Sequence, residues 1–302
     1  MRTDRVLCLG TRGFHRMHYT DWGDPASPRV VICVHGLTRN CRDFDFLAQA
    51  LGGECRVVCP DIAGRGRSDW LTHKEDYGYP QYMRDVTALI ARVTAWPVAT
   101  SWFGNLANFL HRRYGSRSIY WVGTSMGGML GMLLAACRNS PIRKLVVNDI
   151  GTLIPKAALE RIATYVGGSP RVRTFEELEA YVRQVSAPFG PLTDAQWHHL
   201  TLHGARQHAD GSWGMCYDPD IALPMRNSPP QDLDLWQYWD AIACPTLVLR
   251  GAQSDLLLRE TAEQMRNRGP RPRVVEFAGI GHAPMLMAQD QIAVVRDFLL
   301  AE

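Results

Sequence analysis

The sequence predicts an α/β fold, with a mostly parallel central sheet flanked by helices and an inserted helical segment. Short apolar runs recur along the 302 residues, as expected for strands buried on both faces. Helical patterns separate these runs, and such alternation implies parallel strands joined by right-handed crossovers. Residues 154–240 break the alternation because they contain helical patterns without an apolar strand of the buried kind.

The first part of the chain supplies a hairpin and two buried strands. Residues 6–22 alternate in polarity and predict an opening hairpin, which ends at Trp22-Gly23-Asp24-Pro25. Val30–Val34 is a continuous apolar run that ends in His35-Gly36. The patterns that follow predict a helix over 42–52, a strand over 56–59 and a helix over 80–95.

The most informative stretch is Ile119–Ala136, which predicts a strand over 119–123, a sharp turn and a helix to about residue 138. The turn is Gly123-Thr124-Ser125-Met126-Gly127, with Ser125 at its apex. Strand, turn and helix form the setting in which G-x-S-x-G exposes a nucleophilic serine. Side chains at positions 123 and 127 would collide with the neighbouring strand and helix, so glycine is required there.

The rest of the chain predicts a core divided by an insertion. Strands are expected over 144–149, 246–250 and 274–278, with helices over 259–268 and 289–300. Helical patterns between them cover 157–167, 174–186, 193–208 and 233–241. Residues 1–153 and 241–302 are therefore expected to form the core, and 154–240 a helical cap or lid. The role of a second insertion, over 95–117, stays open.

Composition excludes several classes of protein. Hydrophobic residues make up 46% of the chain and the net charge of +3 is spread along it, so we expect a globular protein without a nucleic-acid partner. The N-terminus lacks a signal-peptide pattern, and the most apolar segment, Met126–Cys137, is too short to span a membrane. The eight cysteines form no C-x-x-C pair. We expect free thiols and a cytoplasmic location.

Three residues of the types used in nucleophilic catalysis follow the carboxyl ends of predicted strands. Ser125 follows one strand directly, Asp255 lies just past another, and His282 follows the last. Sites in parallel sheets form at this edge. Asp149 also ends a strand and is an alternative to Asp255 as the acidic partner.

With these motifs in place, the chain resembles the α/β-hydrolase family over nearly its whole length. His35-Gly36 resembles its oxyanion turn, Asp61-Ile-Ala-Gly64-Arg-Gly66-Arg-Ser68 its D-x-x-G-x-G-x-S loop, and 123–128 its nucleophile elbow. Gly251-Ala-Gln-Ser-Asp255 and Gly281-His282 match its acid and histidine loops. The interpretation is that Ser125 attacks, His282 takes its proton and Asp255 orients His282.

The oxyanion site is interpreted in the same way. The backbone N–H of Met126 points to where a tetrahedral oxyanion develops, and the resemblance implies the N–H of Leu37 as the second donor. His35 and Gly36 would support this loop. Asp61 is interpreted as a structural residue that satisfies turn amides.

Three other groups of residues could bind a metal, a cofactor or a substrate. His199 and His203 have an i, i+4 spacing that can bind zinc, but no carboxylate lies within that turn, so no metal is expected. The Gly64–Gly66 loop lacks the third glycine of a dinucleotide fingerprint, and no cofactor is expected. Trp102, Trp213 and Trp236 are candidates for an apolar substrate pocket under a lid.

The predicted function is a cofactor-independent serine hydrolase that cleaves a carboxylic ester of a small or medium, largely apolar molecule through an acyl-enzyme. The first alternative is C–C bond hydrolysis of ring-fission dienoic acids, although that branch commonly has an aromatic residue where this chain has Ala283. Amidase or iminopeptidase action, perhydrolysis and a non-catalytic ligand receptor are further alternatives. Besides its small-molecule substrate, a homodimer stays open as a partner.

Overall fold

The computed structural model describes residues 1–95, 117–168, 170–227 and 231–301. Within these ranges an eight-stranded sheet forms the centre of the molecule, in the order β1-β2-β4-β3-β5-β6-β11-β12. The strands are β1 (Arg2–Leu9), β2 (Phe14–Trp22), β3 (Arg29–Val34), β4 (Arg56–Pro60), β5 (Ser118–Thr124), β6 (Ile142–Asn148), β11 (Thr246–Gly251) and β12 (Arg273–Phe277). β1 and β2 pair antiparallel, as do β2 and β4, and the other neighbours run parallel.

The sheet is buried on both faces, which explains its unbroken apolar strands. In β3, Val30 and Ile32 point into one core and Val31 and Cys33 into the other. This is the two-residue period of a strand. Because both faces are covered, no alternation of apolar and polar residues was visible in this part of the sequence.

Helices cover the two faces. α1 (Asp45–Leu51) and α10 (Gln289–Leu300) pack on one face, while α2 (Tyr79–Thr94) and α3 (Met126–Ala135) pack on the other. α9 (Arg259–Asn267) joins β11 to β12. The buried residues of α2 include Tyr82, Val86, Leu89 and Val93, which recur at the three- and four-residue spacing of an amphipathic helix.

A mainly helical segment lies between β6 and β11. It contains β7 (Leu153–Ile154), α4 (Lys156–Tyr165), α5 (Phe175–Val185), α6 (Asp194–Gly204), β8 (Ala205–Gln207), β9 (Trp213–Met215), α7 (Leu223–Asn227), β10 (Leu233–Asp234) and α8 (Trp236–Asp240). Its own apolar cluster, including Leu178, Trp197 and Leu200, also takes in Met285 and Met287 from the loop before α10.

The fold class predicted from the sequence is confirmed. Two predicted helices of the inserted segment are shorter than expected. The helix predicted over 193–208 ends at Gly204, where the chain enters β8, and 233–241 divides into β10 and α8. β8 pairs with β9, and β10 pairs with β7. Local strand pairing therefore replaces the last residues of the first predicted helix and the first residues of the second.

All eight cysteines are free, and Cys8, Cys33, Cys41, Cys55 and Cys59 are buried. None of the helices that the structure describes has the length and apolar character needed to span a membrane.

Candidate active site

Ser125 stands at a tight turn between β5 and α3. Its backbone has φ 52° and ψ −115°, a conformation that is costly for a residue with a side chain. The turn is possible because its flanking glycines approach other backbone atoms closely. A Cβ on Gly123 would lie 2.1 Å from the carbonyl oxygen of Gly127, and one on Gly127 would lie 2.0 Å from that of Val34. The predicted steric role of both glycines is what the structure shows.

A continuous hydrogen-bonded chain links three side chains at this turn. The Ser125 Oγ lies 3.0 Å from Nε2 of His282, and Nδ1 of His282 lies 2.8 Å from Oδ2 of Asp149. The carboxylate can only accept, so Nδ1 of His282 carries the proton and Nε2 is left as an acceptor for the serine hydroxyl. Asp149 is fully buried, whereas Ser125 and His282 are half-buried.

Asp149 is held firmly in this position. Its Oδ2 also accepts from the Ser254 hydroxyl at 2.7 Å, and its Oδ1 accepts from the backbone N–H of Gly251 at 2.8 Å. Its own N–H donates to the carbonyl of Leu249 on β11. With both carboxylate oxygens bonded, the side chain has little freedom, as an orienting acid requires.

The structure corrects the prediction that Asp255 is the partner of His282. The Asp255 side chain is 50% exposed, and its two oxygens bind Nε and Nη2 of Arg161 at 2.5 and 2.9 Å. Asp149 and Asp255 follow the neighbouring strands β6 and β11, so both reach the same edge of the sheet. The turn after β11 directs Ser254 inward, towards Asp149, and Asp255 outward.

The turn after β3 places the predicted oxyanion loop beside the serine. A Cβ on Gly36 would lie 3.7 Å from the Cβ of Ser125, so the backbone passes close to the hydroxyl. Leu37 and Met126 both border the space around Ser125. Neither of their N–H groups donates to a carbonyl in the described chain, which leaves both available to a ligand.

His35 stabilises this loop by bonding it to the chain after β4. Its Nδ1–H donates to the carbonyl of Gly36 at 2.7 Å, and its Nε2 accepts from the N–H of Ile62 at 3.0 Å. The side chain is completely buried, and burial lowers the pKa of His35 from 6.5 to about 4. His35 is therefore a neutral structural residue at neutral pH.

The side chain of Asp61 bonds other parts of the protein, as a structural residue does. It accepts from Nδ1 of His18 and from the backbone N–H groups of Cys41 and Arg67. Burial by itself would raise the pKa of Asp61, but these hydrogen bonds outweigh it and lower the pKa below its ordinary value.

Two cavities meet at Ser125, and their walls differ in character. The first, of about 110 Å³, is bordered by His282 and contains the charged side chains of Arg39, Asp43 and Arg161. The second, of about 180 Å³, has no charged residue among the described residues that line it. Its walls include Met126, Met129, Ile150, Ile154, Leu159, Ile162, Ile221, Met225 and Leu256. Helix α4 contributes to both cavities.

The tryptophans predicted to line a pocket lie elsewhere or outside the described residues. Trp213 packs edge-on against Phe175 at 5.5 Å inside the apolar cluster of the inserted segment. Trp236 lies under the guanidinium of Arg268, 4.4 Å from its ring centre. Neither borders the two cavities at Ser125, so both predictions are wrong, while Trp102 lies outside the described residues. Aliphatic and methionine side chains form the apolar wall instead.

His199 and His203 come close to a carboxylate from another part of the chain. Asp45, on α1, brings an oxygen within reach of both rings, so the three residues form a possible group of metal ligands. The guanidinium of Arg42 already binds Asp45 through Nε, and Nε2 of His199 bonds the backbone carbonyl of Arg42. These groups are therefore engaged in bonds within the protein.

The charged residues of the first cavity were missed in the sequence. Arg39 and Asp43 have the i, i+4 spacing of an ion pair, which was the available signal. Nothing in the pattern indicated that this pair would face Ser125, because the direction of the loop after β3 depends on tertiary packing.

Comparisons with known proteins find relatives in both sequence and fold. The model of the alpha/beta hydrolase family matches residues 31–295. A 3-hydroxybutyrate-oligomer hydrolase from Cupriavidus necator is 46% identical over 97% of this chain and 96% of its own length. An esterase of Mycobacterium tuberculosis is 24% identical over 85% of this chain and 78% of its own. The crystal structure of an alpha/beta hydrolase from Novosphingobium aromaticivorans has 34% identity and a TM-score of 0.81, with 98% of each chain covered.

Proposed function

This chain belongs to the α/β-hydrolase family and is an ester hydrolase, and we propose that it cleaves oligomeric esters of short hydroxy acids through an acyl-enzyme on Ser125. The observation that carries the proposal is the hydrogen-bonded chain from Ser125 through His282 to Asp149. The similarity to the 3-hydroxybutyrate-oligomer hydrolase supports the substrate class.

The first half of the reaction follows from the direction of these hydrogen bonds. Nε2 of His282 takes the proton of Ser125 as Oγ attacks the ester carbonyl, and Asp149 stabilises the imidazolium that forms. The N–H groups of Leu37 and Met126 stabilise the oxyanion, and loss of one such donor typically costs about 3 kcal/mol of transition-state stabilisation.

The second half returns the enzyme to its resting state. His282 gives its proton to the leaving alcohol oxygen as the ester C–O bond breaks. Water then enters, loses a proton to His282 and attacks the acyl group on Ser125. His282 returns that proton to the Ser125 Oγ as the bond between Oγ and the acyl carbon breaks. The products are an alcohol and a carboxylic acid, and no cofactor is consumed.

The segment 154–240 acts in this proposal as a lid. Its residues Leu159, Ile162, Tyr181 and Phe189 contribute to the cavities at Ser125. A lid that excludes water strengthens the electrostatic interactions in the site and encloses the apolar part of the substrate.

The test uses p-nitrophenyl butyrate and the 3-hydroxybutyrate dimer as substrates. Ser125→Ala is expected to lose at least about a thousandfold in kcat on both, because it removes the nucleophile. Ser212→Ala, in a surface turn of the inserted segment, is the matched control. A fluorophosphonate probe should add its mass to Ser125 in the wild type. Undiminished hydrolysis by Ser125→Ala would exclude the acyl-enzyme, and a wild type inactive on the dimer would exclude the substrate class.

A further inference from the structure

The two cavities at Ser125 can be assigned to the two sides of an ester. His282 must protonate the leaving oxygen, so the alcohol part has to lie on the side that His282 borders. Of the two cavities, the charged one is bordered by His282. The apolar cavity is bordered by Ser125 and Met126, without His282. The acyl part therefore belongs in the apolar cavity and the leaving alcohol in the charged one.

Arg39 is the buried cation of the charged cavity. Its side chain is only 10% exposed, whereas that of Arg161 is 39% exposed. A guanidinium in such a poorly hydrated position binds an anion more strongly than one at the surface. Arg39 also belongs to the oxyanion loop, since its N–H donates to the carbonyl of Gly36 at 3.1 Å. Its position is thereby fixed relative to Ser125.

Asp43 holds Arg39 and leaves part of the guanidinium unused. Nε and Nη2 of Arg39 bind the two oxygens of Asp43 at 2.9 and 2.7 Å. Phe189 lies across the guanidinium, 5.7 Å from ring centre to Cζ. Within the described residues Nη1 has no hydrogen-bond partner, so its two N–H groups are available to a ligand in the cavity.

We infer that Arg39, positioned by Asp43, binds the free carboxylate of the leaving hydroxy acid, so that the enzyme removes units from the carboxyl end of its substrate. This inference rests on the proposed function. In a hydroxy-acid oligomer the alcohol part of the last ester bond carries the terminal carboxylate. The carboxylate of this last unit would bind Arg39, while the oxygen on the β-carbon of the same unit is the leaving group at Ser125.

The reaction balances with water alone. The last ester C–O bond breaks, the acyl group passes to Oγ of Ser125, and the leaving oxygen takes the proton from His282. A hydroxy acid departs as its carboxylate, and water releases the shortened oligomer from the serine. An oligomer whose terminal carboxyl group is esterified lacks the anion and is expected to be a poorer substrate.

The experiment compares the 3-hydroxybutyrate dimer with its methyl ester. The measured quantity is the ratio of kcat/KM for the free acid to kcat/KM for the methyl ester. The double variant Arg39→Gln/Asp43→Asn removes the cation without leaving a buried carboxylate unpaired. We expect the ratio to fall at least about tenfold, mainly through KM, since a charge-assisted hydrogen bond is lost.

Arg42→Gln/Asp45→Asn is the matched control, because it removes a neighbouring, partly buried ion pair that borders neither cavity at Ser125. Its ratio should stay within about twofold of the wild type. A ratio that is unchanged in Arg39→Gln/Asp43→Asn, or that falls equally in the control, would overturn the assignment. If the double variant does not fold, Arg39→Lys is used, and the loss of the planar fork should lower the ratio several-fold.

A second measurement separates this inference from the substrate class. p-Nitrophenyl butyrate hydrolysis needs only the catalytic residues, and 3-hydroxybutyrate should inhibit it competitively. Its inhibition constant is expected to rise about tenfold in Arg39→Gln/Asp43→Asn, while inhibition by methyl 3-hydroxybutyrate should change far less. If the wild type hydrolyses p-nitrophenyl butyrate but neither the 3-hydroxybutyrate dimer nor its methyl ester, the proposed substrate class is contradicted. An inhibition constant for 3-hydroxybutyrate that does not rise contradicts the role of Arg39.

Discussion

At the scale of single residues, the site depends on one buried carboxylate. Asp149 has three partners, His282, Ser254 and the N–H of Gly251, and all three hold it in one orientation. Asp255 is at the surface and pairs with Arg161. The two acids are close in the fold, yet only Asp149 has the contacts through which it can orient His282.

Asparagine substitutions distinguish these two acids. Asp149→Asn keeps the shape but loses the charge that favours the imidazolium, so kcat on p-nitrophenyl butyrate should fall on the order of 10³–10⁴-fold. Asp255→Asn is expected to lower kcat less than about threefold, because the residue does not contact His282. Steady-state kinetics and circular dichroism of both variants check this. A larger loss in Asp255→Asn would refute the orientation seen in the structure.

His35 makes stability depend on pH. Its pKa is about 4 in the folded protein and 6.5 ordinarily, so the unfolded chain binds a proton first as pH falls. The contribution of neutral His35 to the free energy of unfolding is complete above pH 6.5. It is lost as the pH falls from 6.5 to 4, at up to about 1.4 kcal/mol per pH unit. Urea unfolding across this range should show a shallower pH dependence in His35→Gln. Equal slopes in both proteins would contradict the assignment.

At the scale of elements, the strand–turn–helix unit of β5 and α3 determines where Ser125 stands. Ser125 has its strained backbone in a turn that packs closely against the start of α3 and the end of β3. The close contacts of Gly123 and Gly127 are with backbone atoms, which cannot move aside as a flexible side chain can. The unit therefore tolerates no side chain at these two positions.

Alanine substitutions at two glycines test this steric argument. Gly127→Ala places a methyl group against the Val34 backbone and should lower the free energy of unfolding by more than about 2 kcal/mol. Gly53→Ala is the control, because a Cβ there meets no atom within 4 Å, and it should be nearly neutral. Urea denaturation measures both, and a neutral Gly127→Ala would show that the elbow can relax.

At the scale of the whole molecule, the apolar cavity at Ser125 is built from both the core and the inserted segment. The apolar cavity is closed by Met126 and Met129 from the core and by Leu159 and Ile162 from the insertion. The sheet alone would present Ser125 on an open edge. Acyl-chain preference should therefore respond to changes in residues of 154–240 that do not touch the catalytic side chains.

Filling the apolar cavity from the lid side tests this division of roles. Leu159→Trp should lower kcat/KM for p-nitrophenyl octanoate about tenfold or more relative to the acetate, because a longer acyl chain needs the occupied space. Leu202→Trp is the control, since Leu202 is 50% exposed on α6 and borders neither cavity. An identical chain-length profile in both variants would place the acyl chain elsewhere.

The sequence by itself determined the fold class and the positions of Ser125 and His282. These features depend on local patterns: continuous apolar strands, helical periodicity, and glycines that a tight turn requires. Each can be recognised without knowing which distant residues meet, because sterics and burial act within a few residues of the chain.

Only the tertiary structure decided which acid bonds His282 and what surrounds Ser125. Asp149 and Asp255 both follow strands to one edge of the sheet, and the turn after β11 decides which side chain points inward. The direction of Arg39 and the absence of Trp213 and Trp236 from the cavities likewise depend on how the loops and the inserted helices pack. Side-chain direction at a sheet edge comes from long-range packing, which spacing along the chain does not encode.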